Sequence, residues 1–125
     1  MVKKTRRILL VTEHNAFREA LAVRLDQEAD LKVVWQAASI ADTRDVHLDG
    51  IDVALIDPLL PDGDGMVLVR EVSTANPNAS ALVLSAKLDP GGHRQALRDG
   101  AVETLGTGAP IEEVIDAVRK AGSAW

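Results

Sequence analysis

A doubly wound α/β fold, with five parallel strands and helices on both faces of the sheet, is what this chain of 125 residues predicts. Three observations carry the prediction. Five short runs are apolar almost throughout, as strands covered on both faces are, rather than alternating as half-exposed strands do. A longer segment with helical spacing follows each run. The connections are short, and no repeat, low-complexity tract or linker interrupts the alternation.

The first strand is Arg7–Thr12 (RILLVT). A helix over 15–29 follows, with Phe17, Leu21, Val23 and Leu25 near one face and Asn15 as its N-cap. The second strand is Leu31–Gln36 (LKVVWQ), where Trp35 reads as core or edge packing rather than a stacking platform. Residues 38–48 are expected to be helical. The third strand, Val53–Asp57 (VALID), ends in an acid, and a Pro-Asp-Gly-Asp-Gly loop leads into a helix at Gly65–Ala75. Asp62 and Asp64 read as turn residues of that loop, where glycines supply positive φ. The fourth strand is Ala81–Ser85, followed by a helix at about 92–99. The fifth is roughly Glu103–Leu105, and Pro110 then opens a last helix, Ile111–Ala121. In that helix Ile111, Val114, Ile115 and Val118 form an amphipathic stripe.

Composition is consistent with one globular domain over 1–125: hydrophobic residues make up 46% and charged residues 26%. The net charge of −5 is a poor match for a phosphate backbone, so DNA binding is expected only through an attached domain. The absence of cysteine excludes disulfides and thiolate metal sites. The basic start, which includes Lys3, Lys4, Arg6 and Arg7, reads as a solvated lead-in. The apolar run behind it is too short for a signal peptide, so a cytoplasmic protein with no membrane contact is expected.

Ligands of a doubly wound sheet bind outside the carboxyl ends of its strands, where the strand order reverses. Thr12, Glu13 and His14 follow the first strand, Asp57 ends the third, Ser85-Ala86 close the fourth, and Gly106-Thr107 follow the fifth. An acid ending an apolar strand at that edge is being presented to a site rather than packed. His14, His47 and His93 match no ligand spacing and read as surface residues, with His14 near the site.

At these residues the chain resembles the receiver domains of two-component response regulators over essentially its whole length. RILLVTEHNAFREAL is similar to the family's first strand and helix, and IDVALIDPLLPDGDGMVLVREV to its phosphoacceptor strand, loop and next helix. LVLSA is similar to the strand that ends in a hydroxyl residue, and LRDGAVETLGTGAPIEEVIDAVR to the closing segment. The specific signal is Asp57 with Pro61, Asp64-Gly65, Ser85-Ala86 and Gly100-Ala101 at their family distances. The EHNAFREAL and APIEEVIDAVR segments lean towards receivers that precede a LuxR-type helix-turn-helix, which would make this chain the receiver half of a transcription regulator. The resemblance implies a flavodoxin-like (βα)5 fold, and phosphoryl transfer from a sensor histidine kinase to Asp57. It implies Mg²⁺ on Asp57, Glu13 and the Leu59 backbone carbonyl, with the Ser85 hydroxyl on the phosphoryl oxygens. The apolar residues of the last helix lead to the expectation of a homodimer, through the helix at 92–99 with the fifth strand and last helix, or through the first and last helices.

The chain departs from the family pattern at that mechanism. The acidic pair after the first strand is Thr12-Glu13, Thr107 replaces the fifth-strand lysine, and Thr104 occupies the position of the aromatic switch. A charge-assisted hydrogen bond contributes roughly 1.5–3 kcal/mol, and losing one positioned electrostatic stabiliser costs about 10²–10³ in rate. Two readings of Asp57 therefore stand: a phosphoacceptor weakened by these changes, or a relic acid at a solvated sheet edge. Under the second, the chain is a pseudo-receiver serving as a dimerisation or small-molecule-sensing module. Glu13 reads equally as a metal acid or as an acid favoured by a helix N-terminus, and Ser85 as a phosphoryl hydroxyl or a strand end. In neither reading is the chain an enzyme in the ordinary sense. A flavin-binding protein is disfavoured, because no phosphate loop follows the first strand and aromatic residues are only 2% of the chain.

Overall fold

A computed structural model describes residues 5–86 and 89–122. Five parallel strands form the sheet: β1 (Arg6–Val11), β2 (Leu31–Ala37), β3 (Val53–Ile56), β4 (Ser80–Ser85) and β5 (Ala101–Gly106). Their order is β2-β1-β3-β4-β5, so the direction of winding reverses between β1 and β3. Four helices cover the faces: α1 (Asn15–Asp26), α2 (Met66–Ala75), α3 (Pro90–Arg98) and α4 (Ile111–Gly122).

The apolar runs are buried on both sides because alternate residues serve different cores. Ile8 and Leu10 of β1 join Leu55, Leu82, Leu84 and Val118 under α1 and α4. Leu9 and Val11 join Ala54, Ile56, Val83 and Val69 under α2 and α3. The apolar stripe of α4 behaves as its spacing predicts, with Val114, Ile115 and Val118 buried. Arg119 ties the helix down by donating to Asp30 (3.0 Å) and pairing with Glu28 (2.5 Å). The bonds from Arg24 and Arg119 hold the Glu28 carboxyl below its ordinary range.

Several expected boundaries move. Residues 38–48 do not form a helix; 3₁₀ turns at Ala41–Thr43 and Leu48–Gly50 take its place. Side chains claim the backbone there. Asp62 accepts from the Ile40 and Ala41 amides (2.9 Å each), Asp42 accepts from Ala38 N, and Ser39 Oγ accepts from Asp42 N. Such local bonds compete with the helical ladder, while Ile40, Val46 and Leu48 still pack onto the core. Helix α1 ends at Asp26 rather than 29, and its N-cap is His14 rather than Asn15. Val23 is 61% exposed, because two residues from both Leu21 and Leu25 is the opposite side of a helix. Helix α3 starts at Pro90, capped by Asp89 on Gly92 N. Arg6 and Arg7 belong to β1, where Arg7 Nε donates to Gly50 O (2.8 Å). Lys3 and Lys4 lie outside the described residues. No helix among the described residues is long and apolar enough to cross a membrane.

Candidate functional site

Asp57 follows the last residue of β3, next to the point where the winding reverses. Its amide donates to Val11 O (2.9 Å), so the ladder to β1 continues one step beyond the strand and fixes the backbone beneath the carboxylate. The residue is nearly buried, at 4% exposure, and both carboxylate oxygens are held. Leu59 N donates to Oδ1 (2.9 Å) and the Thr12 hydroxyl donates to Oδ2 (3.1 Å). Thr12 reaches it because Val11 pairs with Ile56, which sets residues 12 and 57 side by side at the sheet edge. That register was available from the strand assignments, yet sequence reasoning took Thr12 only as a missing acid.

The turn into α1 also borders the carboxylate. His14 Nε2 stands 3.9 Å from Asp57 Oδ2, on a side chain that is 60% exposed. Arg18, one turn further on, donates to Thr12 O (2.7 Å). The sequence reading placed His14 near the site and gave Arg18 no role.

The loop after Asp57 is stiff. Leu59–Leu60 and Gly63–Asp64 pair as a two-stranded hairpin, Gly65 N donates to Pro58 O (2.9 Å), and Asp64 accepts from Met66 N (2.9 Å) at the start of α2. Asp62 is more than a turn residue. Its two backbone bonds clamp the hairpin to the 3₁₀ segment and hold its carboxyl below the ordinary range. Gly65 is required by space, since an added Cβ would lie 2.1 Å from Asp57 O.

Ser85 ends β4, the strand beside β3, and is 8% exposed. Its carbonyl accepts from Thr107 N (3.1 Å), which holds the loop after β5 over the same edge. Thr107 lines a shallow depression together with His14, Phe17 and Ala86. Glu13 is exposed beside Thr12. Thr104 is not an open position, for its hydroxyl lies 2.5 Å from His93 Nδ1. His93, expected on the surface, is therefore a half-buried partner of β5.

Among the described residues no group of three or more His, Asp or Glu gathers that could hold a metal ion by itself. Asp57, with the exposed Glu13 one residue beyond Thr12, offers carboxylate oxygen, the ligand type of an ion that keeps most of its water. Mg²⁺ binds in that manner, through one or two carboxylates plus waters.

The fold and this edge define a class of signalling domain, and comparison with known proteins agrees. The profile of the response regulator receiver domain matches residues 8–119, and the chain belongs to that family. The DNA-binding transcriptional activator DevR/DosR of Mycobacterium tuberculosis is 33% identical over 81 residues, covering 64% of this chain and 37% of that protein. Response regulator UvrY of Escherichia coli is 25% identical over 113 residues, covering 90% of this chain and 52% of its own. The chain thus spans about half or less of these two relatives. Among solved structures, the signal receiver domain assigned to response regulator NarL of Mycobacterium tuberculosis superposes with a TM-score of 0.86 at 27% identity, covering 98% of this chain and 99% of that one.

Proposed function

We propose that this receiver domain takes a phosphoryl group on Asp57 from a sensor histidine kinase and passes the signal to an attached LuxR-type DNA-binding domain. The observation that carries the reading is the Asp57 carboxylate, nearly buried at the switch point of the sheet with each oxygen held by one donor. Fixed donors orient the nucleophile before the reaction and require no rearrangement during it.

An Asp57 oxygen attacks phosphorus, the new carboxylate–phosphorus bond forms as the bond to the donor breaks, and the electron pair leaves with the donor group. The Leu59 amide and Thr12 hydroxyl keep the carboxylate aimed throughout. In this reading the Ser85 hydroxyl meets the phosphoryl oxygens, beside the loop whose Thr107 N donates to Ser85 O. Glu13, Asp57 and the Leu59 carbonyl would hold Mg²⁺, which when bound supplies positive charge against the phosphoryl oxygens. With Thr12 in place of an acid and Thr107 in place of a lysine, uptake is slow, by roughly 10²–10³ for each stabiliser lost.

The reaction is self-modification rather than turnover of a substrate, so the domain is not an enzyme in the ordinary sense. In this reading the protein works in the cytoplasm, pairs as a homodimer in its modified state, and contacts DNA only through the attached domain. The test is Mg²⁺-dependent labelling by acetyl phosphate, followed by intact mass. One adduct, lost on chelation and in Asp57→Asn, is expected. No adduct under conditions that label a typical receiver would overturn the reading.

A further inference from the structure

We propose that the cavity between α3 and the carboxyl ends of β4 and β5 binds a small neutral ring compound carrying one N–H or O–H group. The proposal does not rest on phosphoryl transfer at Asp57. The cavity measures about 220 Å³ and is walled largely by carbon from Pro58, Leu59, Val83 and Ala96, with Ser85 and Gln95 also on its lining. Val83 and Ala96 belong to the core, at 3% and 2% exposure, so the floor is fixed by packing. Leu59 is 66% exposed, so one wall can swing without disturbing the core.

Size, polarity and charge together select the ligand class. An apolar cavity of about 150 Å³ accepts benzene, whereas pockets for drug-sized ligands begin at roughly 300 Å³. At 220 Å³ this one suits a single ring or a fused pair. The His93–Thr104 pair lies on the lining, and the Thr104 oxygen keeps lone-pair capacity beyond its contact with His93. One N–H or O–H on the ring is thereby matched, and a carbon-only ring would leave that pair facing apolar surface. The Asp89 carboxylate also lines the cavity, and Asp57 adjoins its Pro58 wall, so an anionic ligand is disfavoured.

The test is amide NMR of the ¹⁵N-labelled chain titrated with indole and, separately, with benzoate. Saturable shifts from indole at Leu59, Val83, Ala96 and Thr104 are expected, with benzoate about tenfold weaker or worse. Thr104→Phe fills the cavity and should abolish the shifts. Leu59→Ala, at an exposed position that folding tolerates, should weaken indole by about threefold or more through lost contact area. Absence of saturable indole shifts, shifts centred elsewhere, benzoate binding as tight as indole, or full binding by both variants would each overturn the proposal.

Discussion

Replacing Gly65 by alanine tests whether the backbone under the site is as crowded as the geometry requires. The added Cβ would stand 2.1 Å from Asp57 O and 3.0 Å from both Asp57 C and Pro58 Cα, whereas ordinary contact begins at 3.4 Å. Every obstructing atom is backbone, so no side-chain rotation relieves the overlap. The conformation is not the obstacle, since φ at Gly65 is −59°. Overpacking of this kind costs about 1–3 kcal/mol, with backbone obstruction at the upper end. Reduced freedom of the unfolded chain returns about 0.4–1 kcal/mol. The net loss is roughly 2 kcal/mol, which for a domain of this size lowers Tm by about 6–10 °C. Gly50→Ala is the control: nothing lies within 4 Å of its Cβ position, so Tm should hold or rise slightly. Thermal unfolding followed by circular dichroism reads both. A Gly65→Ala protein within about 2 °C of the parent would refute the packing argument.

Further outcomes follow from the same geometry. Thr107→Lys places a cation on the loop held by Ser85 O and should raise the initial rate of acetyl phosphate labelling by about 10²–10³; an unchanged rate would show that the lysine position does not limit uptake. Asp62 has its carboxyl pKa lowered by bonds from the Ile40 and Ala41 amides, so its contribution is complete above the unfolded carboxylate value near pH 4 and disappears as pH falls through the folded value. Asp62→Asn should therefore lower Tm at pH 7, and the gap to the parent should narrow as pH falls below the unfolded value near 4; a gap independent of pH would contradict the clamp. Arg119→Met should release α4 from Glu28 and Asp30 and speed amide exchange in its last turn, while exchange in β3 stays as in the parent.

The sheet was legible because its strands are apolar on both faces, a pattern read without knowing any partner. The position of Asp57 was legible for a related reason: a carboxylate closing an apolar run has no packing role. What escaped were bonds across long stretches of chain. Asp62 and Ile40 are separated by 22 positions, Arg119 and Asp30 by 89, and neither leaves a periodic trace. The 38–48 segment misled because Ile40, Val46 and Leu48 do meet the core, while Asp42, Ser39 and Asp62 take the backbone donors a helix needs. The His93–Thr104 contact was missed because imidazole at that spacing matches no ligand motif, although the pair joins adjacent elements. Thr12 bears on function most. It was counted as a lost acid, and it is also the donor that fixes Asp57 Oδ2.

The central claim is that Asp57 accepts the phosphoryl group. Its most direct test is site mapping: label with acetyl phosphate and Mg²⁺, reduce the acyl phosphate with borohydride, and sequence the peptides by tandem mass spectrometry. The account predicts that the aspartate reduced to homoserine is Asp57 and no other acid, with Glu13, Asp62 and Asp64 unmodified. Reduction at another residue, or none where a typical receiver reacts in the same tube, would contradict it.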